Sequence, residues 1–250
     1  MDNVTHTLVG AALAHSGLRR RTPLALATLM VAANVADVDA VLYWMGASAS
    51  AYGFRRGWTH GVLALALWPF ALTGTALAWD RWVRRRRHPD AEAMHPQALF
   101  WLALLGVVTH SLLDYCNTYG VRWLMPFSDA WAYGDALFIA DPWVWLVLGS
   151  GVWWSARRWR RGAPSAGRPA GWALALSTAY VAAMFAGSAV ARSVATVAIE
   201  NPVSTDGSGT LHGTASPVSR IMAGPLPVNP FRRQIVEDVG DHYVVGRVDL

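Results

Sequence analysis

Lysine is missing from this chain altogether: each of its 21 basic residues is arginine. No single site chemistry would exclude lysine from every loop, so the gap reflects genomic base composition, and the net charge of +5 must be located before it carries meaning. Cysteine is nearly missing too. The lone Cys116 permits no intrachain disulfide and argues against a purely structural thiolate-bound zinc. Charge of either sign is scarce, 15% of residues against 54% hydrophobic in a chain of 250, which is too apolar for an ordinary soluble domain and points to a membrane protein. The arginines cluster beside apolar stretches, the pattern of loop orientation, so no nucleic-acid partner is expected.

What is present is a series of long apolar runs. A hydrocarbon core about 30 Å thick takes roughly 20 helical residues. Stretches at about 23–45, 57–79, 97–116, 142–156 and 170–191 meet that need or approach it. Residues 1–18 are short for a span. They begin with Asp2 rather than a basic region, which disfavours a cleaved signal and favours a short span or re-entrant helix. Arg19–Arg21, the run at 80–88 and the run at 157–168 alternate with arginine-poor loops at 46–56 and 117–141. By the positive-inside rule the arginine-rich turns are cytoplasmic, which makes residues 1–18 a sixth span and places the C-terminus outside. The expected fold is therefore an all-α polytopic membrane helix bundle of five to six spans, residues 1–191, followed by a small β-containing extracytoplasmic segment, residues 192–250. In that segment "ENPVSTDGSGTLHG" reads as a linker and "RQIVEDVGDHYVVGRVDL" as two strands around Val239-Gly240-Asp241. It is too small to fold without leaning on the membrane part.

Ionisable groups inside spans are expensive unless paired or bound to metal, and so they mark function. Here Thr5-His6, Asp37 and Asp39, Thr59-His60, and "THSLLD" from Thr109 to Asp114 all fall in the outer half of the membrane. Isolated, each has a plainer reading: His60 as a core residue, Asp37 paired with Arg55 or Arg56, His110 with Asp114 as a helix pair. Agreement in depth across four segments favours a shared centre. His110 and Asp114, four apart, stack an imidazole and a carboxylate on one helix face, suited to two bonds to one cation. Asp37 and Asp39 are two apart and cannot face one centre from a regular helix. Either the helix opens near Asn34, or one carboxylate orients a histidine from behind. Imidazole with carboxylate suits Zn²⁺, with Mn²⁺ or Fe²⁺ as alternatives, and three His with three Asp suffice for two ions. His15, His88 and His95 adjoin arginine-rich turns and read as surface residues.

The stretches "MDNVTHTLVG", "ANVADVD", "RRGWTHG", "THSLLDYCNTYGVRWLMPFS" and "DALFIADPWVW" occur in the order that resembles the membrane-bound metal-dependent hydrolases of the YdjM/YbcI inner-membrane type. That family is distantly similar to zinc-dependent phospholipases C and P1-type nucleases. The resemblance implies metal ligands at His6, Asp37, Asp39, His60, His110 and Asp114. It departs at "THG", where many relatives have "THS", so that Gly61 lacks a hydroxyl.

The expected function is hydrolysis of a phosphoester in a lipid or lipid-linked substrate entering from the outer leaflet, with divalent metal activating water. Asp39 and Asp135 are the candidate catalytic carboxylates, Asp135 as a further ligand or a base. Asp141, before Pro142, reads as a helix cap. The aromatic loop 117–134 is a floor for lipid or a belt anchor. A divalent cation transporter and a non-catalytic membrane sensor are the rival readings.

Overall fold

The computed structural model describes residues 1–41, 53–200, 220–240 and 242–250, the side chains of 198–200 excepted. The chain is mostly helical. Helix α1, Asn3–His15, starts where the Asp2 carboxylate accepts from the amides of Val4 and Thr5. Helix α2, Ala25–Ala32, gives way to a 3₁₀ segment, Val35–Ala40. The break falls at Asn34, whose side chain donates to the Met30 carbonyl and to Thr7 Oγ1, competing with the helical ladder. The stretch expected to span at 23–45 is thus not one continuous helix as far as it is described; residues 42–45, and most of the expected outer loop at 46–56, lie outside the described residues.

Helix α3, Val62–Trp79, continues through a π-helical turn, Asp80–Arg84, into a last turn, Arg85–Arg87. Helix α4 is Pro96–Tyr115, α5 is Pro142–Arg160 with Asp141 as its capping side chain, and α6 is Arg168–Glu200. Three segments among the described residues are long and apolar enough to cross a membrane: Val62–Arg87, Pro96–Tyr115 and Arg168–Val197. The first helix has only 13 residues, about 20 Å at helical rise, and α5 closes on Arg157, Arg158 and Arg160.

Small residues let these helices approach closely, as helix pairs in lipid require. A Cβ on Gly10 of α1 would lie 2.7 Å from the Leu29 carbonyl oxygen, and one on Gly106 of α4 would lie 2.5 Å from the Ala32 Cβ. Helix α2 is therefore gripped between α1 and α4, with Ala14, Ala25, Leu29 and Leu102 in one buried cluster and Ala32, Ala103 and Val107 in the next. Helices α5 and α6 pack together behind α1.

The C-terminal segment forms a three-stranded antiparallel sheet, β1 Arg220–Pro225, β2 Arg232–Asp238 and β3 Tyr243–Asp249, in that spatial order. The strands β2 and β3 match the hairpin expected around Gly240. Strand β1 was not anticipated, because its pattern "RIMAGP" shows no clean alternation, and the expected linker falls almost wholly outside the described residues. The sheet rests on α6 through Ala191, Ala195, Ala223 and Ile235. Arg233 is fully buried there, donating to Ser188 Oγ at 2.8 Å and to the Met184 carbonyl at 3.0 Å. His15 is also buried, at 6% exposure, contrary to its surface reading; Trp159 of α5 reaches over to its carbonyl oxygen.

Candidate metal centre

Helix α4 carries two of the functional side chains one turn apart on its buried face, His110 and Asp114, as their spacing required. His60 arrives from the turn that precedes α3. That turn closes tightly, with the His60 and Gly61 amides both donating to the Gly57 carbonyl. A Cβ on Gly61 would lie 2.7 Å from the Met125 carbonyl oxygen and 2.9 Å from that of Gly57. The missing hydroxyl at "THG" therefore has a steric reason in this chain, since the loop crosses directly over residue 61. Asp37 comes from the 3₁₀ segment, its Oδ2 held by Asn3 Nδ2 at 3.1 Å.

These four residues, Asp37, His60, His110 and Asp114, offer donor atoms that all lie within 4.8 Å of one another, and the cluster could hold a metal ion. Proton placement sharpens the fit. His110 Nδ1 is 2.7 Å from the Ala33 carbonyl oxygen, which can only accept, so the proton is on Nδ1 and Nε2 is an acceptor. His60 Nδ1 is 2.8 Å from Thr59 Oγ1, which donates onward to Asp39 Oδ2 at 2.9 Å; with the Thr59 hydrogen used there, His60 also holds its proton on Nδ1. Two imidazole lone pairs thus face each other across 3.0 Å between the Nε2 atoms. Without a cation or proton between them that arrangement is repulsive.

The remaining edges agree. Asp114 Oδ2, buried and without a hydrogen bond, is 3.2 Å from His60 Nε2 and 3.6 Å from His110 Nε2. Asp37 Oδ1 is 3.9 Å from both. Donors about 2.0–2.1 Å from a tetrahedral ion are separated by about 3.3 Å, which these edges bracket.

His6 lies beside this group. Its ring stacks on that of His110 with centroids 3.9 Å apart, its Nε2 is 3.3 Å from Asp114 Oδ1, and neither of its buried ring nitrogens makes a hydrogen bond. The Met1 amino group and Arg56 Nη2, at 3.4 Å, also face Asp114 Oδ1. Asp114 therefore turns one oxygen to the four-residue group and the other to His6, Met1 and Arg56.

Asp39 is placed differently from Asp37. Its Oδ2 accepts from the Arg56 amide at 3.0 Å and from Thr59, and lies 3.6 Å from His60 Nδ1. It supports His60 from behind, while its Oδ1 is buried with no hydrogen bond. Both alternatives for the Asp37/Asp39 pair are thus seen together: the helix opens, and one carboxylate backs a histidine.

Asp135 does not join the converging group. Its carboxylate faces Arg220 at 3.3 Å and Arg192 at 3.5 Å, and its carbonyl accepts from Ser188. Burial raises its pKa while Arg220 and Arg192 pull it down. Asp135, expected as a base or further ligand, is engaged instead by arginines 57 and 85 residues downstream, which tie loop, α6 and sheet together.

Arg56 and Thr59 were not foreseen as parts of the site. Arg56 is 3% exposed, donates to Asn117 Oδ1 and the Gly120 carbonyl, and holds a backbone φ of 54°. A non-glycine residue in that region is strained, a condition that clusters at functional sites. The signal available in sequence was only the neighbourhood of the "RRGWTHG" stretch.

Fold and site together describe a helical membrane protein with a buried His/Asp cluster able to hold metal. The chain belongs to the YdjM inner membrane protein family, which it matches over residues 1–191. It is also similar to the uncharacterized protein YfhP of Bacillus subtilis (strain 168), at 27% identity over 168 residues. That match covers 62% of this chain and 47% of YfhP, so the chain spans about half the length of this curated relative. No solved structure matches it significantly.

Proposed function

We propose that this chain is a membrane-embedded, metal-dependent hydrolase that cleaves a phosphoester in a lipid or lipid-linked substrate. The observation that carries the reading is the pair of imidazoles whose Nε2 atoms face each other at 3.0 Å, each ring's Nδ1 engaged elsewhere, beside an unpartnered buried oxygen of Asp114. Asp37, His60, His110 and Asp114 hold the ion, with His6 as a further ligand beside the other oxygen of Asp114. Zn²⁺ suits the donors best, Mn²⁺ and Fe²⁺ being the alternatives.

When bound, such an ion supplies Lewis acidity and lowers the pKa of water toward neutrality. The chain's own residues do the rest. Asp39, through Thr59, fixes the His60 tautomer so that Nε2 points inward. Arg56 brings a permanent positive charge against Asp114, where an anionic phosphoryl group is stabilised by it. Burial of His6, His60, His110 and Asp114 keeps bulk water out.

In this reading α1, α2 with its 3₁₀ extension, and α5 complete a bundle of five to six membrane elements, and the site and sheet face the extracytoplasmic side. Residues 1–191 form the metal-binding domain and 192–250 the appended segment.

Elemental analysis of the purified protein tests the site. Wild type should retain about one ion or more per chain, and the His60→Ala, His110→Ala double variant less than a tenth of that, with loss of phosphodiesterase activity. Equal metal content in both would remove the proposal.

A further inference from the structure

The four converging donors are closed off unequally. The side chains of His60, His110 and Asp114 are at 0% exposure, whereas that of Asp37 is at 12%. Asp37 is the rim of the centre, and it lines a groove of about 580 Å³ between α1 and the α2–3₁₀ segment.

That groove is lined by polar and apolar side chains together. Asn3, Asn34 and Asp37 stand side by side, joined by the Asn3 amide, which donates to Asn34 Oδ1 at 3.2 Å and to Asp37 Oδ2 at 3.1 Å. One helical turn further along α1 lies Thr7, and the flanks are Val31 and Val38, exposed by 53% and 50%. Exposed valines beside a carboxylate and two carboxamides are a poor surface against water and a poor one against plain hydrocarbon. They suit a molecule with a polar, hydrogen-bonding head and an apolar body.

We infer that this groove is the lateral port by which an amphiphile of glycerophospholipid type brings its phosphate to the metal centre. The inference rests on the hydrolase reading for the fate of that phosphate, but not for the binding. Asn3 and Asn34 meet the head, and Asp37 leads from the head to the other donors. Val31 and Val38 carry the first methylenes. A volume of this size holds a headgroup and the upper part of the chains, within the range of small-molecule sites. Because the valine flank is open, the lower parts of the chains stay in the bilayer. The substrate then leaves hydrocarbon only at its phosphate, the part the centre acts on.

Binding of dihexanoyl phosphatidylglycerol to the metal-loaded full chain in maltoside detergent, read by titration calorimetry, tests the port. Val31→Trp fills the groove from a position that touches no donor, and Val31→Phe is the milder variant if the first fails to fold. Both should weaken binding tenfold or more while metal content stays at the wild-type level. Leu67→Trp, on the exposed face of α3 at 66% exposure, should bind as wild type does.

The port is overturned if either groove variant binds the lipid as tightly as wild type, if wild type does not bind it, or if glycerol 3-phosphate alone binds equally well. Turnover of the same lipid separates the two claims. Lipid bound through the groove but not hydrolysed upholds the port and removes the hydrolase reading. Hydrolysis undiminished in the groove variants upholds the hydrolase and removes the port.

Discussion

At the residue scale, the two histidines of the centre are oriented by different means. His110 gives its Nδ1 proton to a backbone carbonyl, that of Ala33, which cannot be lost by substitution. His60 gives its own to a hydroxyl, Thr59, that in turn depends on Asp39. Of the three Thr-His doublets only this one has the threonine on its own histidine; Thr5 serves Asp2 and Trp145, and Thr109 returns to the Gly106 carbonyl. Thr59→Val keeps the shape and removes the relay. It should leave the fold intact and weaken metal affinity by about 10–100-fold, the usual effect of losing a partner that orients a ligand. Competition with a chromophoric chelator measures this, and Thr109→Val should show no comparable loss.

At the scale of elements, the centre exists because α2 can lie within backbone contact of both α1 and α4. Gly106 meets Ala32 where any side chain would collide, and Asp37 follows five residues after Ala32. Gly106→Val should push α2 away, destabilise the protein by about 1–3 kcal/mol as overpacking does, and lower metal affinity at least tenfold without touching a donor. Thermal unfolding and metal titration of the same variant check both halves. Such contacts also explain what sequence could and could not reveal. The His110–Asp114 pair was legible because helical spacing is local, and the positions of His6, Asp37, His60 and His110 relative to the apolar runs pointed to a common place, where the structure brings these side chains together. The break at Asn34 was legible as one of two options, since two carboxylates at that spacing cannot both face one centre from a regular helix. Arg56 beside Asp114, the arginine partners of Asp135, and strand β1 against α6 were not legible, because each depends on contact between segments far apart in sequence, 57 residues or more for the two ion-pair sets and 28 for Ala195 with Ala223. The placement of Asp135 apart from the cluster belongs here too: an acid in a loop looks available until the arginines that engage it are known.

At the scale of the whole molecule, the helices alternate so that charge and donors are sorted to opposite ends. One end gathers the arginine-rich turns. Trp159 of α5 lies under the guanidinium groups of Arg19 and Arg20, at 5.1 and 4.4 Å, and His95 at the start of α4 bonds the turn at Arg21 and Thr22. The other end gathers the start of α1, the end of α4 and the loop before α5, through the Asp2 amide on the Ile139 carbonyl and the Gly134 amide on that of Tyr115. The donors and the sheet belong to this second end. Arginine-rich turns are retained in the cytoplasm during insertion, so the proposed orientation places the centre toward the exterior. Single cysteines at Arg86 and Asp129, both exposed and on opposite ends, test this in a Cys116→Ala background. A membrane-impermeant maleimide should label position 129 in spheroplasts and position 86 only after the membrane is opened. The reverse pattern would turn the centre toward the cytoplasm, and any lipid it acts on would then have to come from the inner leaflet.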